Sequence, residues 1–344
     1  VDADTGAYRW HYQTTPRDRW DYTATQQITL ADLPLGEDGA NRRVVMQAPK
    51  NGFFYVLDAA DGELISATPF TAQNWTTGQF DENGRPELVE EAVDLALYAV
   101  VPGPTGAHNW HPMAFNPDTG LVYIPVNEIP FFYDKTRNVE DSKSFWNIGY
   151  DAAAGWPVEY PAGTLDAVRD LDGGSLLAWD PVKAEPRWAV PFPLPLNGGV
   201  LSTQAGLVFQ GNKFGEFVAY DAETGERLWA DKLVGNAAAA PMTYEIDGEQ
   251  YLSVLSGWGS VSSLIAGFTY GEAKSKEPAR VITFKLGGDG DMPAALVDNV
   301  VRTPQSPMFG EPDQHKLGMQ RFAENCHFCH GAFAVSGGVV PDLR

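Results

Sequence analysis

The chain has 344 residues, enough for one large domain or two ordinary ones, and its 24 Lys and Arg against 45 Asp and Glu leave a formal charge of −21. Such acidity disfavours nucleic acid, anionic lipid and acidic substrates, leaving neutral small molecules and basic proteins as partners. No apolar run approaches the roughly 18 residues of a membrane helix, and the first residues hold no initiator Met, signal peptide or lipidation motif.

In chain order, 35 Gly, 25 Pro and 10 Trp punctuate short β-rich runs, which predicts an all-β fold with many connections. An internal repeat supports it. Asp2-Ala3-Asp4-Thr5-Gly6 leads to Trp10, and Tyr220-Asp221-Ala222-Glu223-Thr224-Gly225 leads to Trp229. Weaker copies are Leu57-Asp58 to Gly62, Asn116-Pro117-Asp118-Thr119-Gly120, and Trp179-Asp180-Pro181 to Trp188, the last without its glycine. Each copy reads as strand, tight turn with Gly at the positive-φ position, strand, then a Trp that packs on the next unit. Separations of about 40 to 60 residues suit four-stranded propeller blades, in which these residues build structure and do no chemistry. The chain opens inside one such repeat, so it is expected to continue upstream.

Two stretches break the rhythm, residues 71–108 and residues 130–175 with Trp146 and Trp156. Long excursions on a propeller usually sit on one face and wall off the central site; their aromatics could line a pocket or bury the loop. Residues 289–313 read as a Gly, Asp and Pro linker after a propeller over 1–288.

The last stretch, 314–344, contains the only two cysteines, in Cys326-His327-Phe328-Cys329-His330. Thiols at i and i+3 followed by His suit covalent attachment of haem c, with His330 as an axial iron ligand. A disulfide or a zinc half-site is the alternative; zinc lacks a second ligand pair. Gly318, Phe322 and Cys326 fall at i+4 steps, as on the first helix of a cytochrome c domain. A 31-residue segment falls below the roughly 40 residues that fold alone, and all six Met precede the motif, so the distal ligand is expected after Arg344. No side chain accepts two electrons, so an organic redox cofactor is expected to feed the haem.

Five motifs carry a family resemblance: Trp20-Asp21-Tyr22-Thr23-Ala24-Thr25-Gln26, Gln47-Ala48-Pro49-Lys50-Asn51-Gly52-Phe53-Phe54-Tyr55-Val56-Leu57-Asp58, His108-Asn109-Trp110-His111-Pro112, Asn197-Gly198-Gly199-Val200-Leu201 and Gly257-Trp258-Gly259. In this order, and ending in the haem motif, the chain resembles the quinohaemoprotein alcohol dehydrogenases over essentially its whole length. The resemblance implies the later blades of an eight-bladed quinoprotein propeller holding pyrroloquinoline quinone (PQQ) and Ca2+, followed by the start of a cytochrome c domain.

Residue by residue, the resemblance makes Asp21 the catalytic base, shared with Ca2+, where a lone Asp would read as a cap or turn residue. It makes Lys50 the cation on the quinone oxygens, though turn lysines are common, and Asn109 and Trp110 a PQQ-contacting pair, with Trp110 equally suited to blade packing. His108 and His111 read as structural. The Glu and Asn that complete the calcium site, the vicinal disulfide and the tryptophan that sandwich the quinone are expected before Val1.

The function so implied is periplasmic oxidation of a primary alcohol to the aldehyde, the membrane being reached, if at all, through a partner subunit. Electrons pass singly to haem c and then to an external quinone, cytochrome or copper protein. The fragment alone is expected to be inactive. A non-catalytic propeller scaffold with an electron-transfer haem is the alternative.

Overall fold

The structure is a computed structural model and describes residues 1–94, 99–132, 173–233, 235–257, 279–292, 294, 309–330, 334 and 343. Trp146, Trp156, Trp258, Gly259 and most of the expected linker lie outside the described residues.

Four antiparallel meanders follow one another along the chain. The first runs β1 (Thr29–Leu33), β2 (Arg42–Gln47), β3 (Phe53–Asp58) and β4 (Leu64–Pro69), paired in that order. After it come the hairpin β5 (Thr76–Phe80) and β6 (Pro86–Leu88), the short helix α1 (Glu90–Val93), and β7 (Ala99–Val100). The second meander is β8 (Ala114–Asn116), β9 (Leu121–Glu128), then, after β10 (Phe131–Phe132), β11 (Gly173–Asp180) and β12 (Glu185–Phe192). β10 pairs with β7 outside it, so the excursion at 133–172 leaves between the second and third strands of this sheet. The third is β13 (Val200–Ser202), β14 (Leu207–Gly211), β15 (Glu216–Asp221) and β16 (Arg227–Lys232). The fourth has three strands, β17 (Met242–Ile246), β18 (Glu249–Ser256) and β19 (Arg280–Lys285).

The middle strands of the first three sheets are apolar on both faces because each of these sheets lies between two cores. Along β9, Val122, Ile124 and Val126 point into a core shared with Val44, Met46, Phe54 and Val56 of the first sheet. The alternate residues Leu121 and Tyr123 point into a core with Val208, Val218 and Tyr220 of the third. Phe217, next to Val218 on β15, joins Val254 of the fourth. Period-two alternation thus feeds successive cores from single strands, the layering of propeller blades.

The repeat tryptophans join consecutive sheets. Trp10 donates Nε1–H to the Ala59 carbonyl at 3.2 Å and lies on Gly62, where an added Cβ would sit 2.5 Å from the indole. Trp188 on β12 repeats this on the third sheet, donating to the Ala222 carbonyl at 3.1 Å and lying on Gly225, whose Cβ would be 2.7 Å away. Glycine is needed at both turns twice over, for φ near +79° and +75° and for the ring above it. Ala184 holds the same left-handed conformation, φ 55°, in the copy that lacks glycine. One expectation is corrected: Asn116–Gly120 joins the first and second strands of its sheet, whereas the turns at 58–62, 180–184 and 221–225 join third and fourth strands. A Cβ on its Gly120 would meet nothing within 4 Å among the described residues, so no described indole docks there.

The 71–108 excursion covers the other face of the first sheet. Trp75, Ala92, Val93 and Val100 pack with Trp20, Tyr22, Phe53 and Tyr55. Trp75 donates to the Asn51 carbonyl at 2.9 Å and Trp20 to the Ala92 carbonyl at 3.2 Å. Near the end of the chain, α2 (Pro312–Asn325) opens with a capping box between Glu311 and Gln314 and a proline in its first turn, two residues before the expected boundary. α3 (His327–His330) follows directly.

Candidate functional site

Asp21 and Lys50, 29 residues apart, meet. Lys50 Nζ donates to the Asp21 carbonyl at 2.8 Å and to Asp21 Oδ2 at 3.0 Å. The lysine side chain is 9% exposed and the aspartate side chain 64%, so a buried ammonium backs a carboxylate open to small molecules. Asp21 has φ 63°, a conformation non-glycine residues adopt at a cost, and it turns both oxygens onto one cation.

Neighbouring residues brace this pair. Asn51 is fully buried; its Nδ2 reaches the Thr14 carbonyl, Thr15 Oγ1 and the Tyr55 hydroxyl at 3.1, 3.2 and 2.9 Å, and its Oδ1 accepts from Phe53 N. Burial pushes the Tyr55 hydroxyl pKa up, which keeps the phenol neutral against Asn51. Gly52, φ 91°, then turns the chain into β3.

The loop 105–112 comes alongside. Ala107 N donates to the Lys50 carbonyl at 2.9 Å. His108, fully buried, spans from the Ala48 carbonyl (Nδ1, 2.7 Å) to the His111 carbonyl (Nε2, 2.7 Å), and its own carbonyl accepts from Gln26 Nε2 at 2.8 Å. The ring and backbone carbonyl of this one residue therefore contact the segments bearing Asp21, Lys50 and Trp110. Burial holds its pKa below the usual histidine range, against the two carbonyls. His111 is pushed down to about 4, first by burial, then by His108 and Lys213, and its buried Nε2 has no partner among the described residues. Val200 N donates to the Pro112 carbonyl at 2.8 Å, joining the Asn197-Gly198-Gly199 segment to this loop.

Asn109 and Trp110 are arranged differently from Asp21 and Lys50. The Asn109 amide is engaged within its own loop, Nδ2 on the Thr105 carbonyl at 2.7 Å and Oδ1 on Trp110 N at 2.8 Å. Trp110 is 49% exposed and stacks on His111, ring centroids 4.2 Å apart at 18°, with its outer face open.

The residues present fit a flat polar cofactor: a buried cation, an exposed indole face, and buried polar atoms at Gln73 and Thr105, beside Gly52 and Gly106, without partners among the described residues. For calcium the fit is incomplete. Six or more oxygens are required, Asp21 offers one carboxylate, and no cluster of three or more His, Cys, Asp or Glu occurs among the described residues. No step of the chemistry is therefore assigned to calcium.

At the other end of the chain, Cys326 caps α2 through its N–H on the Phe322 carbonyl at 2.8 Å. Its carbonyl accepts from Cys329 N at 3.2 Å and His330 N at 2.9 Å, so one turn carries both thiols and the imidazole. Both cysteines are free, Cys326 half-buried and Cys329 exposed, an arrangement that fits thioether attachment of a haem.

Asn51, Gly106 and His108 were not legible as site residues. Asn-Gly marks a turn, but the partners of Asn51 lie 36 and 37 residues away, and nothing local distinguishes a bracing histidine from any buried one.

Comparison with known proteins identifies the family of the chain. The family described as "PQQ: Glucose/ethanol/alcohol dehydrogenase, beta-propeller domain" matches residues 1–69 and 174–252. Quinohemoprotein alcohol dehydrogenase ADH-IIG of Pseudomonas putida is 45% identical, covering 100% of this chain and 48% of its own length. Lupanine 17-hydroxylase [cytochrome c] of a Pseudomonas species is 41% identical, covering 100% of this chain and 48% of its own length. The solved structure of ADHIIG from Pseudomonas putida HK5 superposes with a TM-score of 0.84 at 43% identity, covering 100% of this chain and 50% of that one. The Comamonas testosteroni quinohemoprotein alcohol dehydrogenase superposes with a TM-score of 0.78 at 41% identity, covering 96% of this chain and 47% of that one. The chain spans about half the length of the curated relatives it matches. Similarity that covers the whole chain, in sequence and in backbone, places the chain in the family of PQQ quinohaemoprotein alcohol dehydrogenases.

Proposed function

We propose that this chain carries the proton-accepting and charge-stabilising part of an alcohol-oxidising PQQ site together with a haem c outlet. The observation that carries the reading is the Asp21–Lys50 pair: an exposed carboxylate held by a buried ammonium. A neutral alcohol approaches the carboxylate without the repulsion that a chain of charge −21 imposes on anions. Asp21 takes the hydroxyl proton onto a carboxylate oxygen, and the backbone bond from Lys50 to the Asp21 carbonyl keeps the residue in place as its charge is neutralised.

Lys50 has three N–H donors, two directed at Asp21; the third is assigned to the quinone oxygens, where a fixed cation favours developing negative charge. Trp110 offers its open face to the ring system, and Asn109 reaches it only after exchanging one of its loop bonds. PQQ, when bound, supplies the two-electron acceptor that no side chain here provides. Calcium, with Asp21 as one ligand, belongs to the same reading. Cys326 and Cys329 would hold haem c and His330 would bind its iron, and the haem would supply one-electron transfer to an external quinone, cytochrome or copper protein.

We assign residues 1–288 to later blades of an eight-bladed propeller, 289–313 to a linker and 314–344 to the start of a cytochrome c domain, in the periplasm. The scaffold alternative finds no support in the relatives, whose names are those of dehydrogenases and a hydroxylase.

The test uses the complete protein with PQQ and Ca2+, a redox dye and ethanol. Asp21→Asn is expected to retain the cofactor's absorbance while turnover falls by about 10²-fold or more, the scale of a lost general base. Turnover within tenfold of the parent removes Asp21 from the mechanism, and no dye reduction by the parent with any primary alcohol rejects the function.

A further inference from the structure

We infer that Gly106 is a positioning residue for Lys50: it presses its bare Cα against the lysine stem and so aims the ammonium at Asp21. The inference rests on the reading of Lys50 as the cation of the cofactor site.

The geometry is specific. A Cβ on Gly106 would lie 2.3 Å from Lys50 Cγ, 2.5 Å from its Cβ and 2.7 Å from its Cα, separations at which only hydrogen fits. Gly106 also has φ +77°, a conformation that costs other residues strain.

The loop cannot withdraw, because it is tied on both sides. Gly106 N donates to the Gly103 carbonyl at 2.8 Å, Ala107 N to the Lys50 carbonyl at 2.9 Å, and Asn127 N of β9 to the Ala107 carbonyl at 2.7 Å. Asn127, buried in the second sheet, adds Nδ2 to the Gly106 carbonyl at 3.4 Å and accepts from Leu196 N at 2.7 Å. A four-carbon stem has many rotamers, and an ammonium that must face one spot needs them removed. Gly106 removes those that would fold the stem toward the second sheet. What remains leads to the Asp21 carbonyl and carboxylate.

The test compares Gly106→Ala with Gly120→Ala in the complete protein. Gly120 has φ +71° but nothing within 4 Å of its Cβ position, so the control carries the backbone strain without the collision. The first readout needs no cofactor: acetylation of Lys50 by a water-soluble acylating reagent, followed by mass spectrometry. Release of a shielded, paired amine to solvent is expected to raise its rate about tenfold in Gly106→Ala, with no change in Gly120→Ala. The second readout is dye-linked turnover after PQQ and Ca2+ are added, in which kcat falls while KM for the alcohol stays within a few-fold. Asn127→Ala loosens the loop without adding an atom; it is the second variant and is expected to raise acetylation in the same direction.

Unchanged Lys50 acetylation in both Gly106→Ala and Asn127→Ala overturns the inference. Faster acetylation with unaltered PQQ binding and turnover upholds Gly106 as the residue that positions Lys50 and rejects Lys50 as the cofactor's cation.

Discussion

Lys50→Met separates a chemical role from a structural one, because the two predict opposite patterns of loss. Methionine preserves most of the stem and deletes the ammonium, removing the bonds to the Asp21 carbonyl and Oδ2 at 2.8 and 3.0 Å. The Asp21 side chain is 64% exposed, so water replaces the bond to Oδ2 and the lost pairing is worth that of a surface pair, about 0–1 kcal/mol. The Lys50 side chain is 9% exposed, and removing a desolvated charge offsets that loss. The net change in stability is about 1 kcal/mol or less, a Tm shift under about 4 °C for domains of this size. Loss of a fixed donor at developing negative charge costs about 10²–10³ in kcat. Thermal unfolding followed by near-ultraviolet circular dichroism, beside dye-linked alcohol turnover with PQQ and Ca2+, measures both. Turnover within tenfold of the parent, or a Tm lowered by more than about 10 °C, refutes the reasoning; the second outcome makes Lys50 a structural cation.

Two further outcomes follow from the same packing. Trp188→Ala removes an indole wedged on Gly225 and bonded to the Ala222 carbonyl, and is expected to cost about 3–5 kcal/mol in urea unfolding, while Leu228→Ala, 51% exposed, changes stability by about 0.5 kcal/mol or less; similar losses for both would show that the tryptophan does not join the sheets. His111 is depressed to about 4 by burial, against about 6.5 in the unfolded chain. The native state therefore binds fewer protons between those values, so the stability of the neutral ring is complete above about pH 6.5 and is lost as pH falls toward 4, by about 3 kcal/mol. His111→Phe should flatten the urea midpoint over that window relative to the parent, and an identical pH profile would remove His111 as the source.

The strands and their antiparallel meanders were legible because they are local. Aromatic and β-branched runs such as Phe53–Leu57 and Leu121–Val126, closed by turns with Gly62, Gly120 and Gly225, specify antiparallel meanders wherever they occur. The pairing of Trp188 with Gly225 was anticipated as tryptophan packing on the next unit. The Asn116–Gly120 turn shows the limit of that signal: a short turn motif does not encode which pair of strands it joins, since all four strands of a meander need turns of similar conformation.

The amino-acid sequence by itself supplied the candidates for the site: a motif suited to haem attachment within one helical turn, and Asp21, Lys50, Asn109 and Trp110 in the order of the family it resembles. Each is a matter of residue identity or short-range spacing. The tertiary structure decided which of these residues act together. Asp21 reaches Lys50 across 29 residues because residue 21 takes a left-handed turn, while Asn109 is engaged with Thr105 and Trp110 in its own loop. It also decided what holds the pair: Asn51, His108 and Gly106 act through contacts 36 to 60 residues apart in the chain. Such contacts depend on how sheets stack against one another, a property of the packed whole that no window of sequence contains.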